Sequence, residues 1–265
     1  MIIVVEYNIK KAIIESYKKL LHYGQELSTE RWQGDKPLDE FIEVLNFVFQ
    51  SKIPEKIEEA KKLIDPILPW ADEHFEERIS GIPYNPPPSS ERWNNINKTE
   101  KWYSKEYKDK FSHTYPERLW FKKVFPKGLR YDTGDLYDIV KLLAKEPNTR
   151  QCYMPMFIHE DITAALKEER VPCSLGWHFI QRNGYLHVNY FLRSVDAVRH
   201  FRNDIYFAVR KVYYILEEAS KLNSFFKDVK PGFIHIFITS FHCFKSDRYY
   251  LEKYIEKKER EIPSP

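Results

Sequence analysis

The sequence predicts a single α+β domain, and three observations support this fold class. Amphipathic segments typical of helices alternate along the chain with short apolar runs typical of strands. Near the middle, Asn183-Gly184 lies between two alternating apolar runs, which is a strong hairpin signal. At 265 residues with 43% hydrophobic content, the chain can bury one substantial core. We therefore expect one domain over residues 1–265, without internal repeats.

The first 98 residues divide into strands, helices and two polar loops. A helical pattern from Ile9 ends before Gly24, a residue that often caps helix C-termini. The segment 41–49 is almost continuously apolar, which predicts a strand buried on both faces. Residues 82–98 are rich in Pro, Ser and Asn and predict a long irregular loop. The predicted strands are 1–6 and 41–49, and the predicted helices are 9–22, 55–64 and 70–79.

The remaining chain contains the hairpin and the longest predicted helix. The run His159-Glu160-Asp161 is typical of a helix start. Adjacent side chains on a turn diverge, so the same run does not predict a metal site, and we expect no metal. The predicted helices are 135–145, one beginning near Ile162, 204–222 and 248–261, and the predicted strands are 152–157, the two hairpin arms and 233–238.

Charge and cysteine content exclude several classes of protein. The net charge is only +3, with acidic and basic residues interspersed, so we expect no nucleic-acid polymer as a partner, whereas a small phosphorylated ligand is compatible. The chain has three cysteines without paired spacing, which favours a reducing compartment over a disulfide framework. The apolar run 2–5 stops at Glu6, too short for a signal peptide or membrane span. We expect a cytoplasmic protein with no membrane contact.

The hairpin concentrates the chemically informative residues. Its turn places Cys173 at the head of one strand and Arg193-Ser194 at the foot of the other. A thiol next to a guanidinium and a hydroxyl suits a nucleophile aimed at a substrate whose phosphate is bound close by.

The same residues carry a resemblance to a known family. Pro172-Cys173 is followed by Arg193-Ser194, with the arginine twenty positions after the cysteine, then by Asp196 and Asp204, three and eleven positions after that arginine. This spacing resembles the thymidylate synthases and the related pyrimidine nucleotide hydroxymethylases. Thymidylate synthases have Asn where this chain has Asp204, and this version of the motif resembles that of the bacteriophage deoxycytidylate 5-hydroxymethylases.

The resemblance implies a mixed twisted β-sheet with flanking helices and a homodimer formed through that sheet. It implies a pyrimidine nucleoside monophosphate as substrate and 5,10-methylenetetrahydrofolate as cofactor. Cys173 would add to C6 of the base, Arg193 and Ser194 would bind the phosphate, Asp196 would bind the pterin and Asp204 would select the base.

Further site residues are implied by weaker motif matches. A catalytic Glu is expected on the acidic helix, where Glu73 lies eight residues before Gly81, with Glu76 and Glu43 as alternatives. The remaining residues implied by the resemblance are Tyr115 in the pyrimidine pocket, Arg31 at the phosphate, Arg150 at the partner's phosphate, His242 at the sugar hydroxyl, and Trp102 or Trp93 stacked on the folate ring.

Four of these residues could instead have purely structural roles. Cys173 could be a buried structural thiol, and Arg193 could form a strand-end salt bridge. Asp196 could be a turn carboxylate, and Asp204 could be a helix N-cap. The chain also departs from the family pattern at Gln151, Leu192, His200 and Phe244.

The sequence therefore predicts a one-carbon transferase that hydroxymethylates a cytidine monophosphate nucleotide, most simply dCMP. One alternative is a thymidylate synthase that methylates dUMP. A second, of another class, is a non-catalytic nucleotide-binding protein with the same fold.

Overall fold

The computed structural model describes residues 1–27, 40–92, 110–111, 113–121, 134–167 and 169–261. Its strands are Ile2–Glu6 (β1), Gln25–Leu27 (β2), Phe41–Lys52 (β3), Tyr153–Pro155 (β4), Ser174–Arg182 (β5), Tyr185–Asp196 (β6) and Lys230–Phe244 (β7). Its α-helices are Ile9–Tyr23 (α1), Ile57–Ile64 (α2), Trp70–Ile79 (α3), Tyr115–Leu119 (α4), Leu136–Lys145 (α5), His159–Leu166 (α6), Phe201–Leu222 (α7) and Arg248–Arg260 (α8).

All the described strands join one open, mixed sheet. Their order is β1-β3-β7-β6-β5-β4, and β2 pairs with β3. The β1/β3 and β6/β7 pairs are parallel, and the other pairs are antiparallel. Helices flank this sheet, so the predicted α+β class is confirmed.

The central hairpin forms at the predicted turn. Asn183 and Gly184 have φ angles of 51° and 77°, the left-handed conformation that a two-residue hairpin turn requires at both positions. From this turn β5 and β6 run antiparallel, and the backbone N–H of Arg193 donates to the carbonyl of Cys173 at 2.9 Å. The hairpin therefore places Cys173 beside Arg193 and Ser194, as the sequence predicts.

Several element boundaries differ from the predicted ones. Helix α7 begins three residues earlier than predicted, so its N-cap is His200 and Asp204 lies inside the first turn. The interpretation of Asp204 as an N-cap is therefore wrong. Strand β3 is not buried on both faces, because Leu45 is 57% exposed. Strand β7 continues six residues past its predicted end at 238, which brings His242 into the sheet.

The core lies between one face of the sheet and the helices. Phe241 on β7 packs against Phe47 on β3 and Phe201 on α7, with ring centroids 4.7 and 4.8 Å away. Aromatic packing of this kind fixes α7 on the sheet and thereby positions the side chains of its first turns. Among the described helices, none is long and apolar enough to cross a membrane.

The opposite face of the sheet exposes a row of apolar side chains. Cross-strand pairing aligns Ile3, Val48, Phe237 and Phe191 on four neighbouring strands. Phe191 and Phe237 stack with their ring centroids 5.1 Å apart. Ile3 and Phe237 remain 52% and 39% exposed. We call these four residues the apolar row.

Candidate active site

Cys173 immediately precedes β5, and its thiol lies within a network of hydrogen bonds made by its neighbours. The hydroxyl of Ser194 donates towards Cys173 Sγ at 3.6 Å. Arg193 Nε donates to the carbonyl of Pro172 at 2.9 Å, and its Nη2 donates to the carbonyl of Val171 at 3.0 Å. Arg193 therefore holds the backbone segment that presents the thiol, and its Nη1 points to the Ser194 hydroxyl at 3.4 Å.

The other two cysteines lie in a different environment. Cys152 and Cys243 are fully buried, whereas Cys173 is partly exposed. Burial raises the pKa of Cys152 to about 12 and also raises the pKa of Cys243. Because the thiolate is the nucleophilic form, these two buried thiols are unsuited to nucleophilic chemistry. Cys173 is the cysteine that a ligand can reach.

A chain of hydroxyl groups adjoins Cys173. Ser174 Oγ lies 2.5 Å from Tyr190 Oη and donates to Tyr115 Oη at 3.3 Å. Tyr115 is placed by a capping box at the start of α4, where Thr114 and Glu117 bond reciprocally to each other's backbone N–H. Burial, followed by the nearby acidic groups of Cys173 and Asp204, raises the pKa of Tyr115. Its hydroxyl is therefore protonated at neutral pH and can donate to a ligand.

The carboxyl group of Asp204 faces the same interior region from α7. Burial raises its pKa to about 7, although the positive charges of Arg78 and Lys211 act in the opposite direction. At neutral pH, Asp204 therefore interconverts between an acid that can donate and a carboxylate that can only accept.

Arg78 and Lys211 are functional candidates that the sequence analysis missed. Arg78 is 3% exposed on α3, and its guanidinium carbon lies 4.3 Å from the ring centroid of Tyr115. Lys211 is fully buried on α7, and its Nζ lies 4.1 Å from the ring of Trp177. The sequence contained one indication that Lys211 is buried. It lies three residues after Ala208 and four before Ile215, which places it on the apolar side of a predicted amphipathic helix.

Two of the three predicted carboxylate candidates form ion pairs away from Cys173. Glu73 pairs with Arg92 at 3.0 Å and retains 40% side-chain exposure. Glu76 pairs with Arg210 at 2.5 Å and is 61% exposed. The buried positions of α3 are instead Trp70, Ala71, His74, Phe75 and Arg78. The helix thus places Glu73 and Glu76 in ion pairs at its outer side and presents Arg78 to Tyr115, where a glutamate was expected.

The third carboxylate candidate, Glu43, lies on β3 directly opposite His242 on β7. Ser240 donates to its carboxylate, and Ser240 is itself paired with Ser194 across the β6/β7 ladder. Glu43 is therefore connected through Ser240 to the Cys173 region, unlike Glu73 and Glu76.

Asp196 and His242 have well-defined contacts of their own. Asp196 Oδ1 accepts from the backbone N–H groups of Val198 and Arg199 at 2.9 and 3.0 Å. It therefore has the turn-stabilising role that was its structural alternative. His242 is 2% exposed, lies opposite Asp196 in the sheet, and has a pKa lowered by burial.

The remaining predicted site residues are dispersed or lie outside the described part of the chain. Arg31, Trp93 and Trp102 belong to the segments that the structure does not describe. Arg150 is exposed, and its carbonyl oxygen lies 3.0 Å from Nε2 of His178 on β5. Arg150 is thus at the β4–β5 end of the sheet.

The four departures from the family pattern also have defined positions. Gln151 is exposed. His200 has a large accessible surface at the N-cap of α7, and desolvation of its imidazole lowers its pKa. Leu192 is buried within β6. The ring of Phe244 lies 4.7 Å from the guanidinium carbon of Arg199, a cation–π contact that its missing hydroxyl does not affect.

A scan of the sequence against protein-family models finds no match, and no curated protein matches it at a significant level. Functional assignment therefore depends on the motif spacing and on the geometry described above.

Proposed function

We propose that this protein belongs to the thymidylate synthase superfamily and hydroxymethylates C5 of a cytidine monophosphate nucleotide, most simply dCMP. The observation that carries the proposal is the contact of Cys173 with Ser194, beside Arg193, at 3.6 Å from thiol to hydroxyl. These residues are separated by about twenty positions in sequence, and the spacing resembles that of the hydroxymethylases. A thiol, a guanidinium and a hydroxyl in contact meet the needs of covalent catalysis on a phosphorylated pyrimidine.

The first chemical step is addition of the Cys173 thiolate to C6 of the base. The Sγ–C6 bond forms as the C5–C6 π bond breaks, which converts C5 from a poor nucleophile into a good one. Arg193 supports this step by holding the carbonyls of Val171 and Pro172, which positions the thiol. Expulsion of the thiolate at the end of the cycle restores the aromatic base.

Nucleotide binding divides between the two ends of the site. Arg193 uses Nε and Nη2 to hold backbone carbonyls, so Nη1 and the hydroxyl of Ser194 are the groups that turn to the phosphate. Asp204 and Tyr115 lie on the interior side, where the base would be enclosed. In this arrangement the phosphate faces the strand end and C6 faces the thiol.

Asp196 is compatible with binding a folate. A carboxylate has about four acceptor positions. Two are used by the amides of Val198 and Arg199, and Oδ2 lies 3.6 Å from Arg199 Nε, which leaves acceptor capacity for a pterin N–H. When bound, 5,10-methylenetetrahydrofolate supplies a one-carbon unit at the oxidation level of formaldehyde.

Hydroxymethylation also requires a water molecule to be activated. Glu73, the candidate from the sequence, pairs with Arg92 at the surface. Glu43 is the carboxylate connected to Ser194 through Ser240, and it is therefore our candidate for general-base catalysis.

The proposal is tested by incubating the protein with C5-tritiated dCMP or dUMP and methylenetetrahydrofolate. We expect tritium release from dCMP and formation of 5-hydroxymethyl-dCMP, with tetrahydrofolate as the other product. Release from dUMP with formation of dihydrofolate and dTMP would instead establish a thymidylate synthase. Binding of a nucleotide without release from either substrate would establish the non-catalytic alternative.

We further propose that the protein is a homodimer formed through the open face of the sheet. The apolar row and the adjacent row of Val5, Gln50, His235 and Asn189 carry no formal charge at neutral pH, because burial lowers the pKa of His235. An exposed apolar patch of this kind is typical of a protein interface. Arg150 is exposed and lies at the end of the same sheet. The family resemblance implies that this arginine binds the phosphate in the partner's site.

Phe237→Lys is expected to convert the dimer into a monomer. It would bury a charge at the centre of the proposed interface, and such a charge is costly unless it is paired. Sedimentation velocity at micromolar concentration measures the change, and activity should fall with dimer content because Arg150 acts across the interface. Leu222→Lys is the matched control, since Leu222 is 48% exposed at the end of α7. A monomeric wild-type protein with full activity would contradict the dimer.

A further inference from the structure

Beneath the Cys173 site lies a group of buried side chains whose hydrogen-bond donors lack acceptors. Arg78, Trp177 and Lys211 are 3%, 0% and 0% exposed. Within the described part of the chain, Arg78 Nε and Nη1, Trp177 Nε1 and Lys211 Nζ have no hydrogen-bond partner. We call these three residues the donor cluster. A buried donor without an acceptor is destabilising, and more so when it is charged, so the arrangement favours a ligand that brings acceptors.

The donor cluster is continuous with the site around Cys173. Lys211 Nζ lies 4.1 Å from the Trp177 ring, and that ring stacks on Tyr190 at 4.9 Å between centroids. Arg78 lies over Tyr115 at 4.3 Å. The hydroxyls of Tyr115 and Tyr190 both contact Ser174, the residue after Cys173. A base positioned for attack by Cys173 would therefore face the cluster.

The residues around Arg78 fix its orientation without neutralising it. Its Nη2 lies 3.0 Å from His74 Nε2, and burial lowers the pKa of His74 well below its usual value. A neutral His74 accepts from Arg78 and donates through Nδ1 towards Ser89 and Glu77. The guanidinium is also enclosed by the rings of Tyr115 and Phe207. Arg78 is thus held in place with Nε and Nη1 available.

Arg78 is the cation of this region. Asp204 interacts electrostatically with both Arg78 and Lys211, and Glu77 interacts with Arg78. Burial lowers the pKa of Lys211 well below its ordinary value and therefore disfavours the positive charge on its amine. The geometric observation is that Arg78 Nε and Nη1 have no acceptor. These two donors match an acceptor that becomes negative during the reaction.

We propose that Arg78 is a catalytic residue that donates to the ring of the substrate and stabilises the negative charge formed when Cys173 adds to C6. This inference rests on the proposed function. When the Sγ–C6 bond forms, the electron pair of the C5–C6 π bond spreads over C5 and the acceptor at position 3 or 4 of the ring. An ionised Asp204 cannot donate to that acceptor, whereas Arg78 Nε and Nη1 can.

The role fits the general behaviour of such groups. Preorganised donors aimed at developing charge, in a site without bulk water, contribute more to the transition state than to substrate binding. Arg78 acts on the ring, whereas Arg193 acts on the thiol and the phosphate. Removal of Arg78 should therefore reduce the rate of C6 addition much more than it weakens nucleotide affinity.

The test measures debromination of 5-bromo-dCMP and 5-bromo-dUMP in the presence of dithiothreitol. This reaction requires addition of Cys173 at C6 and uses no folate; the added dithiol takes up the bromine and is oxidised to its disulfide as bromide leaves. For Arg78→Met, we expect a loss in kcat of about 10²–10³-fold. We expect Kd for dCMP to rise by less than about tenfold. Arg78→Lys, which retains the positive charge, should recover at least about tenfold of the lost rate.

Arg210→Met is the matched control, because Arg210 also links α7 to α3. It pairs with Asp72 and Glu76 at 2.7 and 2.5 Å, and it contributes no donor to the cluster. We expect a lower Tm for Arg210→Met, with kcat changed by less than about twofold.

If Arg78→Met behaves like Arg210→Met while the wild-type protein debrominates the substrate, the role of Arg78 is refuted and the proposed function stands. If the wild-type protein reacts with neither nucleotide, both proposals fail. Should Arg78→Met not fold, an unchanged kcat in Arg78→Lys and Arg78→Gln would equally refute the role.

Discussion

Cys173→Ser is expected to reduce turnover by at least about 10³-fold while changing Kd for dCMP by less than about threefold. A serine hydroxyl has the shape of the thiol but is far less nucleophilic at neutral pH, so it cannot form the C6 adduct. The binding groups are unaffected, because Arg193 and Ser194 keep their contacts with the backbone and with each other. Tritium release from C5-labelled dCMP measures turnover, and equilibrium dialysis measures Kd.

Cys152→Ser and Cys243→Ser are the matched controls and should remain active. Cys152 Sγ donates to the carbonyl of Ile139, and Cys243 Sγ donates to that of Phe244. A serine hydroxyl can make the same hydrogen bonds, so the expected cost is confined to stability. Retained turnover in Cys173→Ser, or loss only in one of the controls, would overturn the covalent mechanism.

Local sequence signals were sufficient for the hairpin at the centre of the site. Asn183-Gly184 adopts the turn that the dipeptide favours, and the length of the arms then determines which residues meet. The contact of Cys173 with Ser194 follows from this register. The start of α7 was less predictable, because the local pattern favours Asp204 as the cap residue, whereas the observed N-cap, His200, makes no side-chain cap hydrogen bond.

The donor cluster could not be predicted from local patterns, since its members come from three elements. Arg78 is on α3, Trp177 on β5 and Lys211 on α7, and only the packing of these elements brings them together. The many acidic residues of α3 also directed the prediction to a glutamate, although the buried side of the helix carries Arg78. Only burial identifies Arg78, and not Glu73, as the charged residue that faces Tyr115.

The second large effect is expected from Asp204→Asn, which should shift the preference in kcat/KM from dCMP towards dUMP. Cytosine presents an acceptor at N3 beside an amino donor, and a protonated Asp204 can donate to the first and accept from the second. Uracil presents an N–H donor beside a carbonyl acceptor, which an asparagine amide can match. An unmatched buried polar group costs about 1–3 kcal/mol, so the ratio should change by roughly tenfold to a hundredfold.

The pH dependence separates this role of Asp204 from a purely structural one. Because burial raises its pKa to about 7, the donor form is abundant below that pH and is lost above it. The preference of the wild-type protein for dCMP should therefore weaken as pH rises through 7, whereas that of Asp204→Asn should stay constant.

The raised pKa also means that ionised Asp204 destabilises the fold progressively as pH rises from the unfolded-state pKa near 4 to about 7, by about 1.4 kcal/mol per pH unit. Asp204→Asn removes that penalty, so denaturant unfolding at pH 8 should show a more stable variant. A stability gain without any change in the dCMP to dUMP ratio of kcat/KM would show that Asp204 has only a structural role in α7. It would also remove the main argument for a cytidylate enzyme.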